Sequence, residues 1–185
     1  MTSRRSSRPD RLRRDNGKGR RLRPVEGFAT REAHIRFPRL EDIDELLAIE
    51  RLCFRSHEFT REDFEYHLRN PSSIFAVSEG SGQIKGYIAG IIYHGSKRRI
   101  AKVYSMAVLP KFRKRGIGSL LLRYFEHEAK KRGCVSGSLE VRETNRSARA
   151  LYRRFGYEVG ERLPRYYTTG SDGLRMRKPL IEKRK

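Results

Sequence analysis

Cysteine is scarce in this sequence of 185 residues, which contains only Cys53 and Cys134. Two widely separated cysteines exclude a disulfide-stapled scaffold and a cysteine-based zinc cluster, and they are typical of a reducing compartment. The five histidines show none of the spacings that hold a metal ion. We therefore expect a cytoplasmic protein without a metal site.

Long hydrophobic runs are absent as well. No apolar stretch approaches the roughly 20 residues that a membrane-spanning helix needs. The first residues also lack the apolar core of a signal peptide. We therefore expect no membrane partner.

Acidic residues are few, because 22 Asp and Glu stand against 43 Lys and Arg and give a net charge of +21. Residues 1–27 carry ten basic and three acidic residues, so +7 of this charge lies there and +14 is spread over the rest. A basic surface favours polyanionic partners, such as nucleic acid, a ribosome, an acidic peptide or a phosphorylated ligand. The alternative is that the charge only keeps the chain soluble.

The composition divides the chain into a domain and two ends. Residues 1–32 are rich in Arg, Ser, Gly and Pro, with almost no large apolar side chains. They predict a disordered basic tail, because they could bury too little surface to offset the entropy of ordering. Strand and helix patterns alternate unevenly over residues 33–181, which predicts one α/β domain with a mixed sheet. Residues 182–185 form a charged C-terminal end.

The most informative stretch, residues 102–133, has the pattern of a strand, a turn and a helix. Val103, Met106 and Val108 form a β-prone run that ends at Pro110, which cannot donate to a strand ladder. A basic turn with two glycines follows and opens into a helix. The apolar residues of that helix recur at the spacing of one buried face: Ile117, Leu120, Leu121, Phe125 and Ala129.

The turn, residues 113–118, has the features of an anion-binding site. The first N–H groups of a helix have no partner within the helix and carry partial positive charge. Gly116 and Gly118 allow a ligand to approach the backbone, and three cations precede or adjoin them. The spacing matches neither a P-loop nor the dinucleotide-binding fingerprint. The pattern indicates a phosphate or pyrophosphate site; alternatively, the glycines serve only the geometry of the turn.

Three motifs follow one another in the domain. They are VLP with RKRGIG in residues 108–118, LEVR with a following Asn in residues 139–145, and ALY with FGY in residues 150–157. Together they resemble the GNAT acetyltransferase superfamily, and most closely its RimI-type N-terminal acetyltransferases, which act on ribosomal proteins. The resemblance covers residues 33–181. It implies an α/β GNAT fold, in which about four helices flank a mixed, twisted sheet of six to seven strands.

The resemblance also implies a set of site residues. Glu140 matches the general base of the family and Tyr152 its general acid, whereas Tyr166 and Tyr167 resemble a tyrosine pair that grips the substrate peptide. On residue type alone, Glu140 would be a solvent-facing strand residue and Tyr152 a core residue. The implied co-substrate is acetyl-CoA, without a metal. The residues that match its binding site are Met106, Ala107, Val108, Arg113, Lys114, Arg115, Gly116, Ile117, Gly118, Ser119 and Asn145.

The implied function is transfer of an acetyl group from acetyl-CoA to the N-terminal α-amine of a protein, with a ribosomal protein as one candidate. A carboxylate base suits this acceptor, because a free α-amine has a pKa of about 8, against about 10.4 for lysine. Two alternatives remain open. One is acetylation of protein lysines or small-molecule amines, and the other is an RNA- or ribosome-binding module on the same scaffold, which the basic tail motivates.

Overall fold

Seven β-strands and four α-helices follow one another in the residues that the computed structural model describes, 24–54, 59–95 and 98–181. The predicted charged C-terminal end and residues 1–23 of the predicted tail lie outside the described residues. No helix in the described ranges is long and apolar enough to cross a membrane. The strands are β1 (His34–Arg36), β2 (Ser73–Gly80), β3 (Gln83–His94), β4 (Arg99–Val108), β5 (Cys134–Arg142), β6 (Glu158–Leu163) and β7 (Gly173–Pro179). The helices are α1 (Ile43–Cys53), α2 (Arg61–Arg69), α3 (Ile117–Lys131) and α4 (Arg146–Arg154).

The strands form a single sheet in the order β1-β2-β3-β4-β5-β7-β6. All neighbouring strands are antiparallel except β4 and β5, which are parallel and are connected through α3. The predicted mixed sheet of six to seven strands with about four helices is confirmed.

The sheet separates two hydrophobic clusters. Helices α3 and α4 pack on one face, in a cluster that includes Phe125 and Tyr152. Helices α1 and α2 cover part of the other face through Ile49 and Phe64. Neighbouring residues of the central strands alternate between the two clusters, as side chains do along a pleated strand.

The local sequence explains the buried face of α3 and the start of α2. All five residues predicted for the apolar face of α3 are buried. Helix α2 begins with a capping box, because Thr60 Oγ1 accepts from the Asp63 N–H and the Asp63 carboxylate accepts from the Thr60 N–H.

Two side chains on the N-terminal side of the predicted boundary at residue 33 also contact the core. Val25 and Phe28 pack against the core, and the Val25 N–H donates to the Ile35 carbonyl at 2.8 Å. The rings of Phe28 and Tyr124 meet edge to face with their centroids 5.3 Å apart. These two large apolar side chains stand in a polar stretch, so the composition alone does not indicate their contacts with the core.

Strands β4 and β5 pair only along their first halves. The ladder ends with Val103 opposite Leu139, and no further pair joins these two strands within the described residues. Beyond that point β4 stays paired with β3, and β5 stays paired with β7. One edge of β4, residues 104–108, therefore borders a gap in the sheet.

Candidate active site

The gap between β4 and β5 gives residues 104–108 a strand edge without a β5 partner. Three predicted cofactor contacts lie here. Met106 and Val108 pack on the α3 side of the sheet, whereas Ala107 is buried on the α1 side. Because these side chains pack against the core, the groups available to a ligand at this edge are the backbone N–H and C=O groups. A strand edge of this kind can pair with an extended ligand that contains amides.

The turn before α3 follows this edge along the chain. Lys114 and Gly116 adopt the left-handed backbone conformation, with φ of 61° and 83°, and Gly116 directly precedes the helix. A Cβ on Gly116 would meet no atom within 4 Å, whereas a Cβ on Gly118 would lie 3.3 Å from Leu151 of α4. Glycine at position 116 thus suits the left-handed backbone conformation, and glycine at position 118 allows α3 and α4 to pack closely. Because residues 113–116 are exposed, an anion can reach the first N–H groups of α3.

The three cations predicted at the turn differ in their surroundings. Arg113 donates from Nε to the Val108 carbonyl at 3.0 Å. Arg115 pairs with the Glu32 carboxylate at 3.2 Å, and Lys114 is exposed. Arg113 therefore brings its charge to the end of the β4 edge, whereas the charge of Arg115 is offset by a carboxylate.

Helices α3 and α4 converge at the turn. Arg154, the last residue of α4, donates to Ser119 Oγ at 3.0 Å and adds a cation that sequence analysis missed. The Ile117 side chain is buried in the core, so only its backbone can reach a ligand. Asn145 lies at the other end of α4, where its Oδ1 accepts from the Ala148 N–H at 3.1 Å and caps the helix.

Glu140 lies beside the gap, one residue beyond the last β4–β5 pair. Its side chain is 8% exposed, and its two oxygens pair with different cations, Lys102 Nζ at 3.0 Å and Arg175 Nε at 3.0 Å. The hydrogen bond with Glu140 is the largest cause of the raised pKa of Arg175. Arg175 also pairs with Glu161, so charges of opposite sign alternate across β4, β5, β7 and β6. Sequence analysis missed Lys102 and Arg175, because only the strand order brings them to Glu140.

The predicted acid and the predicted tyrosine pair differ in burial. Tyr152 is buried on α4; burial raises the pKa of its phenol, and the neighbouring Tyr167 adds to the effect. Burial also raises the pKa of Tyr167 to about 12, against the opposing effect of Arg142, whose guanidinium lies 4.1 Å from the ring centroid. Tyr166 packs edge to face on Tyr167 but is 45% exposed. The pair thus presents one partly buried phenol and one exposed phenol.

Tyr104 lies close to Glu140 at the gap, because Lys102 Nζ pairs with Glu140 and lies 5.0 Å from the centroid of the Tyr104 ring. After burial, the charge of Glu140 is one of the causes that raise the pKa of both Tyr104 and Tyr167. Tyr104 stands at a bulge of β4, where β3 offers it no partner, and its hydroxyl contacts that of Tyr93. Sequence analysis missed Tyr104 as a site residue because it stands within an apolar run. Glu140, Lys102 and Tyr104 thus adjoin one another beside the gap.

The arrangement combines the parts that acyl transfer requires. A strand edge and a helix N-terminus can hold a phosphorylated donor with an amide-containing arm. A carboxylate beside the gap can accept a proton, and a buried phenol can donate one. Backbone N–H groups can stabilise a developing oxyanion. Within residues 24–54, 59–95 and 98–181, no cluster of three His, Cys, Asp or Glu side chains is placed to hold a metal ion.

Known proteins with similar sequences and structures indicate the family of this chain. Residues 40–157 match the model of a family described as the acetyltransferase (GNAT) family. A Bacillus subtilis protein, provisionally named as a ribosomal protein bS18-alanine N-acetyltransferase, is 35% identical over 148 residues, which are 78% of this chain and 94% of that protein. An N-alpha-acetyltransferase of Sulfurisphaera tokodaii is 32% identical over 165 residues, which are 84% of this chain and 98% of that protein. The crystal structure of Chaetomium thermophilum Naa20 with a bisubstrate analogue has a TM-score of 0.70 at 30% identity, and the match covers 78% of this chain and 85% of that one.

Proposed function

The chain belongs to the GNAT acetyltransferase family, and from this premise we propose that it transfers the acetyl group of acetyl-CoA to the α-amine of a protein N-terminus. The observation that carries the proposal is that the buried carboxylate of Glu140 lies beside the gap between β4 and β5, where residues 104–108 leave a strand edge that leads to the turn before α3. The names of two relatives, an alanine N-acetyltransferase and an N-alpha-acetyltransferase, support an α-amine as the acceptor.

In this proposal acetyl-CoA binds along the β4 edge and at the turn before α3. The backbone of residues 106–108 pairs with the amides of the pantetheine arm, as an added strand would. The N–H groups that follow Gly116 bind the pyrophosphate, with Lys114 and Arg154 supplying positive charge. The bisubstrate analogue bound to Naa20 supports a site of this class that takes donor and acceptor together.

The reaction requires a neutral amine, because an ammonium has no lone pair with which to attack the thioester. Glu140 takes the proton of the acceptor ammonium, directly or through a water. The nitrogen then bonds to the acetyl carbon, and the carbon–sulfur bond breaks. Tyr152 donates a hydrogen bond and a proton to the departing thiolate and regains the second proton that the attacking nitrogen loses as the amide forms. No phenolate therefore accumulates, and burial, which raises the pKa of this phenol, disfavours one.

The acceptor in this proposal is a peptide whose first residues lie against Tyr166 and Tyr167. An α-amine with a pKa of about 8 gives up its proton more readily than a lysine with a pKa of about 10.4, so a carboxylate base suffices for it. The name of the Bacillus subtilis relative supports a ribosomal protein as the acceptor class, which would place the reaction in the cytoplasm.

Three peptides of one sequence test the proposal. The first has a free N-terminus and a blocked lysine, the second a blocked N-terminus and a free lysine, and the third has both amines blocked. We expect mass spectrometry to find one added acetyl group on the first peptide alone. Acetylation of the second peptide would identify a lysine acetyltransferase instead, and acetylation of a polyamine alone would identify a small-molecule enzyme.

A second candidate function, RNA or ribosome binding, is favoured by the net charge of +21. Deletion of residues 1–23 tests it, because this cut spares Val25 and Phe28, which pack against the core. Loss of RNA binding on deletion, together with no acetyl transfer by the full chain, would favour a binding module over an enzyme. Loss of RNA binding with peptide acetylation unchanged would assign the tail to localisation.

A further inference from the structure

Glu50, near the end of α1, is a buried carboxylate that the proposed reaction does not use, and it is only 1% exposed. Its Oε2 accepts from the Phe59 N–H at 2.8 Å, and its Oε1 accepts from Ser105 Oγ at 3.3 Å. The Tyr87 hydroxyl lies 2.6 Å from the same Ser105 oxygen. A carboxylate loses its hydration when it is buried, so its oxygens need partners of this kind. Glu50 thus joins α1, the residue before the cap of α2, and the central strand β4.

The backbone of Glu50 makes a related contact. Its carbonyl accepts from the Phe54 N–H at 2.8 Å, where α1 ends. One residue therefore holds both described ends of the connection between α1 and α2, Phe54 through its carbonyl and Phe59 through its carboxylate.

Two routes lead from Glu50 to Tyr104. In one, Glu50 binds Ser105, which directly follows Tyr104 in β4. In the other, the Phe59 ring stacks on His67, with centroids 5.4 Å apart and planes 11° apart, and the His67 ring lies 6.3 Å from that of Tyr104. Tyr104 in turn lies next to Lys102, whose Nζ is 5.0 Å from the centroid of the Tyr104 ring and pairs with Glu140 at 3.0 Å.

We propose that Glu50 is a positioning residue that fixes Tyr104 and the start of α2 as the acceptor side of the active site. The proposal rests on the proposed function for what the acceptor is. It does not require Glu50 to touch either substrate. Loss of the Glu50 contacts should therefore affect the peptide more than acetyl-CoA, for which the proposed site is the backbone of residues 106–108 and the turn before α3.

The variant Glu50→Gln tests this role, because it keeps the size of the side chain but removes its charge and one of its two acceptor oxygens. Glu45→Gln is a matched control on the same helix, since Glu45 Oε1 likewise accepts a backbone N–H, that of Ile84 at 2.9 Å. Hydrogen bonds to charged groups are among the stronger ones, so we expect Glu50→Gln to raise the KM for the peptide about tenfold. The Kd for acetyl-CoA should stay within about twofold, and Glu45→Gln should change neither constant.

Hydrogen exchange gives a readout that does not depend on activity. The Phe59 amide should exchange faster in Glu50→Gln than in the wild type or in Glu45→Gln. An unchanged KM for the peptide, or equal losses in peptide and acetyl-CoA binding together with a lower Tm, would overturn the positioning role.

If the wild type acetylates no peptide, the proposed function fails on that result alone. In that case two results together would still support the positioning role: a faster exchange rate of the Phe59 amide in Glu50→Gln, and unchanged acetyl-CoA binding. Any other result would overturn it.

Discussion

Glu140 is held by Lys102 on one oxygen and by Arg175 on the other, and this fixes the carboxylate beside the gap. Glu140→Gln keeps the side-chain shape and removes the base. We expect kcat to fall about 100-fold or more, as is usual for loss of a general base. The Kd for acetyl-CoA should be unchanged, because the proposed donor site consists of the β4 edge and the turn before α3. Steady-state kinetics and calorimetry measure the two constants.

Glu161→Gln is the matched control for that substitution. It removes only the ion pair between Glu161 and Arg175. The Glu161 side chain is about half exposed, and exposed ion pairs contribute little to stability. Its kcat should stay within about threefold of the wild type. A Glu140→Gln enzyme that turns over at the wild-type rate would remove Glu140 from the reaction.

His67 makes stability depend on pH. Burial lowers the pKa of this imidazole to about 4, with Asp63 partly opposing the effect, whereas in an unfolded chain the ordinary value is 6.5. As the pH falls from about 6.5 to about 4, the unfolded chain therefore takes up a proton before the folded chain does, so the free energy of unfolding decreases. We expect a loss on the order of 1–3 kcal/mol over this window.

Urea unfolding at a series of pH values between 7 and 4 measures this loss. His67→Asn removes the titrating group, so its stability should fall less steeply over the same window than that of the wild type. Parallel curves for the two proteins would show that His67 does not titrate in this way.

Among the elements, the turn before α3 is the proposed binding site for the pyrophosphate of the donor. Gly116 has φ of 83° and open space around it, so a small side chain fits there without a clash. Asp and Asn both tolerate the left-handed conformation better than other residues do, and they differ here in charge. Gly116→Asp should weaken acetyl-CoA binding about tenfold or more relative to Gly116→Asn, because it places an anion beside the pyrophosphate. Calorimetry of the two variants gives the comparison, and equal affinities would show that no phosphate binds at this turn.

Elements with a complete local pattern were predictable from the sequence. The apolar spacing from Ile117 to Ala129 is a property of 13 consecutive residues, and it predicts α3 with its buried face correctly. The segment around Val25 and Phe28 has only two apolar residues in a polar stretch, and both become ordered through distant partners, Ile35 and Tyr124. A local pattern cannot contain that information.

At the scale of the whole molecule, the site arises from strand order. Glu140 and Arg175 lie opposite each other because β7 pairs with β5, and Lys102 reaches Glu140 because β4 is the other neighbour of β5. The sequence motifs indicate Glu140 and Tyr152 through their resemblance to the family. They do not predict that Lys102 and Arg175 pair with Glu140. The gap that opens after Val103 is likewise a property of two strands, so neither strand predicts it alone.

The central claim is that this gap and the turn before α3 together bind acetyl-CoA. Isothermal calorimetry with acetyl-CoA, and in parallel with an acetylated pantetheine that lacks the phosphates, tests it most directly. We predict saturable binding of acetyl-CoA at one site per chain and clearly weaker binding of the phosphate-free donor. No detectable binding of acetyl-CoA up to about 1 mM, or equal affinity for the two donors, would contradict the account.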